Sequence, residues 1–219
     1  LAQRRHEEFA ATQRRALSLA PDYPEAHANL AAALLVLGNW PEAEAAARRA
    51  LALKPSLTEA LSTLAASLER QGRVDEALAL LRRAAHEGPL ESRGEAHFGL
   101  ALALLRRGDF ALGWREYEWR WGVRQHQRGA KRDFPQPQWR GEEIAGRAIL
   151  LHGEQGLGDM IQFLRYVPMV AARGARVILE VPAELKRLAE GVAGATRIVA
   201  AGEALPPFDL HCPLLSLPL

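Results

Sequence analysis

Residues 24–55 read PEAHANLAAALLVLGNWPEAEAAARRALALKP. A similar pattern of residues occurs 34 positions later, in residues 58–89, which read TEALSTLAASLERQGRVDEALALLRRAAHEGP. The same interval separates a set of prolines and glycines, namely Pro21, Pro55, Pro89, Gly38 and Gly72, and Gly108 follows after 36 residues. A fixed period of this size is typical of solenoids built from stacked supersecondary units. The sequence therefore predicts a repeat solenoid over residues 1–125.

Each unit reads as a helical hairpin. Leu30, Ala31 and Leu34 form an apolar face at helical spacing, and a glycine at 38 turns the chain. A stripe of alanines then follows at similar spacing: Ala43, Ala47 and Ala50. Small residues at a helix crossing let two backbones approach closely, and a proline ends the second helix because it lacks an amide donor. Each unit is thus predicted to be two antiparallel helices.

This pattern resembles the tetratricopeptide repeat family, in about three and a half repeats. The last unit carries Leu100, Ala101, Leu104, Gly108, Phe110 and Tyr117. The repeat region departs from the family pattern at three positions. His27 and Leu61 stand where the family usually has Trp, and Gly113 stands where the family has a small Ala. The resemblance implies a concave groove that binds a peptide or protein partner, lined here by Asn29, Glu59, Thr63, Arg70, Phe98 and Arg106. The alternative for each of these residues is ordinary solvated helix surface.

Composition limits the other classes of function. The formal net charge is +2, so the chain lacks the basic excess that would favour a nucleic-acid partner. One cysteine, Cys212, excludes an internal disulfide and a cysteine-based metal cluster, and it favours a reducing, cytoplasmic compartment. The sequence shows no apolar run of the roughly 18 residues that span a bilayer. We expect no metal, no cofactor in this chain and no membrane span.

Tryptophans are concentrated in and just before a connector predicted at residues 126–146. Trp114, Trp119 and Trp121 precede it, and Trp139 lies within it among Pro135, Pro137 and Gly141. Prolines and glycine break a helix, so we expect an extended segment that begins a second domain. The aromatic side chains could stack on a sugar or base, but we expect packing of the end of the solenoid against the following domain.

Residues 147–219 alternate between strand and helix patterns. Residues 148–152 form a short apolar run, residues 160–173 place apolar residues mostly on one helical face, and residues 176–181 form a second apolar run. Further strands are predicted near Ile198 and around Phe208. Such alternation predicts a parallel, doubly wound, Rossmann-like sheet, so the fold class is α plus α/β.

A glycine-rich turn follows the first strand, where ligands of such sheets collect. Its sequence, GEQGLGD at residues 153–159, lacks the Gly-Lys-Ser/Thr ending of a phosphate-binding P-loop. Its glycines also have the wrong spacing for the dinucleotide fingerprint. Glu180, near the end of the second strand, nevertheless stands where that fold places its ribose-binding acid. An NAD-type site therefore remains an alternative.

The order of motifs in this region resembles the amino-terminal half of GT-B glycosyltransferases of the bacterial heptosyltransferase group. The motifs are a strand, a glycine-rich turn, a Gly-Asp pair, a helix that contains Pro168 and a strand that begins Gly-Ala-Arg-Val-Ile. The resemblance implies that Asp159 is the general base that takes a proton from the acceptor hydroxyl. It also implies an acceptor-binding loop made by Gly153, Glu154, Gln155, Gly156 and Gly158. Asp159 could alternatively cap its helix. For His152 and His211 we expect structural hydrogen bonds rather than catalysis.

In that family the nucleotide-sugar donor is held mainly by a second domain. We therefore expect this chain to be a fragment that is inactive alone, with a nucleotide-sugar donor used by the full-length parent. Its repeats would recruit a protein or glycan acceptor to the GT-B cleft. The alternative is a non-catalytic scaffold in which the α/β part, residues 147–219, is degenerate.

Overall fold

A computed structural model of the chain describes residues 2–88, 90–123, 132–154 and 156–219. The chain divides into two compact units, Leu1–Val123 and Arg124–Leu219. Pro89 of the repeat pattern, Gln155 of the predicted loop and residues 126–131 of the predicted connector lie outside the described residues. The two units are described separately below.

The first unit is entirely helical in its described part, as the repeat pattern predicts. Its helices are α1 (Ala2–Leu19), α2 (Pro24–Val36), α3 (Trp40–Leu53), α4 (Thr58–Arg70), α5 (Val74–Glu87), α6 (Leu90–Arg107) and α7 (Phe110–Tyr117), followed by a 3₁₀ helix at Glu118–Gly122. Helices α2 and α3, α4 and α5, and α6 and α7 pack as antiparallel pairs. Each pair is one repeat, and α1 occupies the position of a second helix.

Glycines in the left-handed region end the first helix of each pair. Gly38, Gly72 and Gly108 have φ of +80°, +78° and +87°. At the first turn the amide of Asn39 donates to the carbonyl of Leu34 and the amide of Gly38 donates to that of Leu35, which is the Schellman arrangement. The other two glycines repeat this pair of bonds. The periodic glycines are therefore required by backbone conformation, because only glycine adopts it without strain.

Leucines and alanines fill the interior of the solenoid. Leu64, Leu68, Leu81, Leu100 and Leu104 are each at most 2% exposed, and burial of one such side chain stabilises the fold by roughly 1.5–3 kcal/mol. The fully buried alanines lie where helices cross: Ala31, Ala43, Ala47, Ala50, Ala60, Ala77 and Ala101. The predicted apolar faces are confirmed.

The departures from the family pattern have local explanations. The Nε2 atom of His27 lies 2.8 Å from the carbonyl oxygen of Pro21, so the ring bonds to the preceding turn. At Gly113 an added Cβ would lie 2.8 Å from Cγ of Leu105 and 3.1 Å from its backbone nitrogen. Helices α6 and α7 cross too closely there even for alanine.

The second unit contains a four-stranded parallel sheet. Its strands are β1 (Ala148–His152), β2 (Arg176–Val181), β3 (Ala195–Ala200) and β4 (Leu210–Pro213), in the order β3-β2-β1-β4. The chain moves in one direction from β1 to β3 and then returns to the far side of β1. The direction of winding therefore reverses between β1 and β4, and parallel sheets bind ligands in the crevice at such a point.

The helices of this unit are shorter than the sequence pattern predicts. The helix expected over residues 160–173 is divided into α8 (Leu157–Phe163) and α9 (Val167–Ala172) by a 3₁₀ turn, and α10 (Lys186–Ala189) follows β2. Pro168 lacks an amide donor and its ring would clash with the carbonyl of Leu164, so a continuous α-helix is not possible. Ile161, one of the apolar residues in this stretch, is 47% exposed.

An extended segment covers the sheet face that carries Leu150 and Ile178. Phe134 packs there with Phe208, their ring centroids 5.4 Å apart. Gln138 forms a parallel bridge with His211, and the amide of Trp139 donates to the His211 carbonyl at 2.8 Å. In its described part the predicted connector therefore extends the sheet beside β4. Among the described residues, no helix is long and apolar enough to cross a membrane.

We predict that Gly194→Ala destabilises the sheet more than Gly202→Ala. Both glycines have positive φ, at +89° and +92°, and an L-residue there costs roughly 1–2 kcal/mol. At Gly194 the new Cβ would also lie 2.7 Å from Cβ of Ala171, whereas at Gly202 nothing lies within 4 Å. Overpacking adds about 1–3 kcal/mol. Amide hydrogen exchange of β2 and β3 measures the difference, and equal effects of the two substitutions would contradict this packing.

Candidate functional site

The first helices of the repeats, α2, α4 and α6, carry the residues predicted to line a groove. Asn29, Glu59, Arg70 and Arg106 are exposed. Thr63 is only 8% exposed, and its hydroxyl donates to the carbonyl oxygen of Glu59 at 2.8 Å. Thr63 is therefore corrected from a groove residue to a buried helix residue.

Phe98 is half-buried, and its ring packs against another aromatic ring. Its centroid lies 5.5 Å from that of Tyr117, which is 8% exposed. Phe98 thus contributes to the packing of α6 on α7, and only part of its surface is accessible to a ligand.

A cavity of about 630 Å³ brings Arg70 and Arg106 together. It is open to solvent and bordered by helices α4, α5 and α6, and its lining consists of Ala66, Glu69, Arg70, Val74, Asp75, Ala103, Arg106 and Arg107. This volume is within the range of ligand pockets, roughly 300–1,000 Å³. Asn29, Glu59 and Phe98 are not among its lining residues.

Two acidic residues of this cavity were missed by the sequence analysis. Glu69 accepts two hydrogen bonds from the Arg106 guanidinium, at 2.8 and 2.6 Å, and Asp75 accepts one from Arg107 at 2.7 Å. The partners are 37 and 32 residues apart. A separation close to one repeat, between opposite charges, is the signal that could have found them.

The tryptophan-rich end of the first unit is packed on its own helices. Trp119 is stacked on His97, with centroids 4.1 Å apart and planes within 4°, and Nδ1 of His97 lies 2.5 Å from Oε2 of Glu116. The Arg120 guanidinium is 1% exposed and lies over the Trp121 ring at 4.5 Å. These contacts favour a packing role for the aromatic residues over stacking on a ligand.

The glycine-rich turn leaves the carboxyl end of β1 beside β4. Gly153 lies against the buried Met160 side chain, and an added Cβ would come within 2.4 Å of its sulfur. Around Gly158, by contrast, an added Cβ would meet nothing within 4 Å. Glu154 is half-buried. The turn therefore packs tightly at its first glycine and is open at its last.

Asp159 stands in the first turn of α8 and is half-buried. The N-cap residue of this helix is Gly156, which has no side chain to cap it. The interpretation of Asp159 as the capping residue is therefore corrected, although its charge still complements the helix dipole. Within the described part of the chain no hydrogen bond or ion pair holds the Asp159 carboxylate.

Two histidines and an ion pair lie on the sheet face that the extended segment covers. Nε2 of His152 lies 3.2 Å from Nδ1 of His211, and both rings are less than 9% exposed. Glu180 is 5% exposed and forms an ion pair with Arg132. Because this carboxylate is buried and already paired, Glu180 is not placed to bind a ribose, and the support for an NAD-type site is lost.

The environment of His211 disfavours its charged form. Burial lowers the pKa of His211, and the nearby Arg132 cation lowers it further. Phe134 lies 4.9 Å from the ring of His211, so part of the desolvation comes from the extended segment. In the folded chain this histidine is therefore neutral at a pH where an exposed histidine would carry a proton.

The described residues contain no group of three or more His, Cys, Asp or Glu side chains that could hold a metal ion. The first unit has the geometry of an α-solenoid made of helical hairpins, with a glycine turn in every pair. Residues 24–57 and 62–113 both match sequence models of the tetratricopeptide repeat. The helical unit of this chain is thus built from tetratricopeptide repeats.

Two solved structures illustrate what the chain is similar to. One, from the functional characterisation of Pseudomonas aeruginosa pilF, is 24% identical with a TM-score of 0.48, over 58% of this chain and 57% of that one. The other, a mutant of the Thermobaculum terrenum O-GlcNAc transferase, is 23% identical with a TM-score of 0.43, over 86% of this chain and 36% of that one. The chain thus covers less than two thirds of either structure. No curated protein sequence matches it.

We predict that the sheet of the second unit loses stability as the pH falls below about 6.5, the ordinary pKa of an unfolded histidine. Because the folded pKa of His211 is lowered, the unfolded chain binds a proton first, so stability falls until the pH reaches the folded pKa. Hydrogen exchange of β1 and β4 between pH 7.5 and 5, corrected for intrinsic rates, measures this effect. His211→Asn, which cannot be protonated in this range, should flatten the profile, and an unchanged profile would contradict the assignment.

Proposed function

We propose that this chain is the interaction and acceptor-side part of a bacterial, cytoplasmic GT-B glycosyltransferase. In this proposal the tetratricopeptide repeats bind a peptide or protein partner and so bring a protein or glycan acceptor to the α/β unit. The donor would be a nucleotide sugar, held by a second domain outside this chain. The observation that carries the proposal is the combination of repeats with a parallel sheet whose glycine turn and Asp159 follow β1.

The solenoid supports the first half of this proposal through its open surface. Tetratricopeptide repeats make interaction modules, and α4 and α6 here border a cavity that is large enough for side chains of a partner. Asn29, Glu59, Arg70 and Arg106 are solvent-exposed on the first helices, so a partner reaches them without unfolding of the repeat.

The position of Asp159 supports the second half of the proposal, which is sugar transfer at the α/β unit. The winding of the sheet reverses between β1 and β4, and the turn at residues 153–158 leaves β1 at that point. Asp159 follows directly, with a carboxylate that no described group engages. A ligand at the crevice would meet this carboxylate.

The chemistry that we assign to Asp159 is general-base catalysis. The carboxylate would accept the proton of an acceptor hydroxyl while the hydroxyl oxygen forms a bond to the anomeric carbon of the donor sugar. The bond from that carbon to the nucleotide phosphate breaks, and its electron pair leaves with the nucleotide. A carboxylate within hydrogen-bond reach of the attacking hydroxyl is the group that such a transfer needs.

The alternative is a scaffold in which the repeats bind partners and the α/β unit has no activity. The buried ion pair of Arg132 with Glu180 and the buried histidine pair are as useful to a scaffold as to an enzyme, because they stabilise the sheet. The effect of removing the Asp159 charge separates the two functions, since a scaffold would lose only the interaction of this charge with the α8 dipole, whereas an enzyme would lose sugar transfer.

We predict that Asp159→Asn in the full-length protein lowers sugar transfer by at least about 100-fold, the lower range for loss of a general base. The assay is release of nucleotide from a panel of nucleotide sugars in the presence of the bound partner. The isolated 219-residue chain should show no release, because the donor-binding domain is absent from it.

The matched control is Asp133→Asn, which neutralises an exposed aspartate of the same unit. We expect its transfer rate and its unfolding midpoint to equal those of the wild type. If Asp159→Asn transfers sugar normally, Asp159 is not the general base. If the full-length wild-type protein transfers no sugar from any donor, the enzyme is excluded and the scaffold function stands.

A further inference from the structure

Arg70 is the uncompensated charge of the cavity between α4 and α6. Its two arginine neighbours in the lining are already neutralised, Arg106 by Glu69 and Arg107 by Asp75. Among the residues that the structure describes, none forms an ion pair or hydrogen bond with the Arg70 guanidinium. The lining thus contains three arginines and two acids, which leaves one positive charge.

The isolation of Arg70 differs from the use of arginine elsewhere on the solenoid. Six other basic residues reach an acid about one repeat away, through the pairs Arg14–Glu42, Arg49–Asp22, Lys54–Glu25, Arg73–Glu44, Arg106–Glu69 and Arg107–Asp75. Pairs such as Arg73–Glu44 and Arg106–Glu69 join neighbouring hairpins, whereas Lys54–Glu25 lies within one hairpin. Arg70 lies between two such pairs, at the end of α4, and takes part in none of them.

The floor of the cavity is apolar. Ala66, Val74 and Ala103 contribute hydrocarbon surface, and their small size leaves the cavity open above them. A guanidinium beside hydrocarbon surface is well suited to bind a carboxylate, because it offers paired donors and water is partly excluded. Both oxygens of Glu69 accept hydrogen bonds from Arg106, and Arg70 donates none to this carboxylate.

We propose that this cavity binds the Asp or Glu side chain of an internal segment of a protein partner, with Arg70 as its charged contact. The acidic side chain would enter beside Arg70, and a neighbouring apolar side chain of the partner would cover Ala66 and Val74. This assignment rests on the proposed function of the repeats as a peptide-binding surface, and it adds the chemistry that the surface selects. The occupant is acidic because the lining has one positive charge to satisfy.

A helix dipole supplies a competing reason for an arginine at this position, because Arg70 is the last residue of α4. That role concerns the stability of the helix and makes no contact with a partner. A substitution that leaves stability nearly unchanged but weakens the binding of an acidic peptide therefore distinguishes the two roles.

The experiment selects 12-residue peptides from a phage-displayed random library on the full 219-residue chain. The selected peptides are then made with both termini blocked, so that only side chains can supply a carboxylate. We expect enrichment in Asp or Glu beside an apolar residue. Arg70→Gln should weaken their binding by about tenfold or more, as expected for loss of a charged hydrogen bond. Arg82→Gln removes an exposed arginine of α5 that is outside the cavity, and it should leave binding unchanged.

A double-mutant cycle completes the test. Replacing the acidic residue of a selected peptide by its amide should weaken binding to the wild type but have little further effect on Arg70→Gln. Peptides that bind the wild type and Arg70→Gln equally would overturn the assignment of Arg70 while leaving the repeats as a peptide-binding surface. Failure to select any peptide would overturn both.

Discussion

Every helix of the solenoid depends on its neighbours to cover its apolar face. A helical hairpin of about 30 residues is too small to bury its own leucines, so stability comes from the stacking of one hairpin on the next. The alanines at the crossings make this possible, since Ala43, Ala47, Ala60 and Ala77 are fully buried and let the backbones approach. At Gly113 the approach is closer still, and no Cβ fits. The periodic sequence is the direct consequence of this repeated contact.

In the second unit, one apolar face of the sheet is covered by extended chain rather than by a helix. Helices α8 and α9 follow β1, whereas the face that carries Leu150 and Ile178 is covered by Phe134 and Phe208 from extended chain. The extended segment that covers this sheet face also covers polar and charged side chains. His211 lies under Phe134 and beside Arg132, which is why its charged form is disfavoured, and Glu180 is paired with that same arginine. The stability of this face is therefore coupled to protonation.

The sequence predicted the repeated elements well because they depend on local chemistry. The 34-residue period, the positive-φ glycines and the apolar faces each follow from a few neighbouring residues, and so do the four strands. Predictions failed where a longer-range or finer constraint decides. Pro168 breaks a helix whose apolar pattern is continuous, and Thr63 turns inward although its helix position resembles that of the exposed Asn29.

The candidate sites were predictable only in part for a related reason. Asp159 could be chosen from its local motif, but its relation to the N-cap required the helix start, which is at Gly156 rather than at the acid. The pairing of Arg132 with Glu180 joins residues 48 positions apart through the register of a sheet, which no local pattern encodes.

The ion pairs around the cavity of the solenoid suggest a role for Arg70, as the contact for an acidic side chain, that the sequence alone did not indicate. Surface ion pairs such as Arg14 with Glu42 contribute at most about 1 kcal/mol each, so we interpret them as contacts that help to fix the register between repeats. Arg70 is exposed like its paired neighbours Arg106 and Arg107 but has no ion-pair partner in the described chain. Arg82 likewise has no ion pair in the described chain, but Arg70 differs from it because Arg70 lines the cavity. In the proposed complex, the partner supplies the carboxylate that pairs with Arg70.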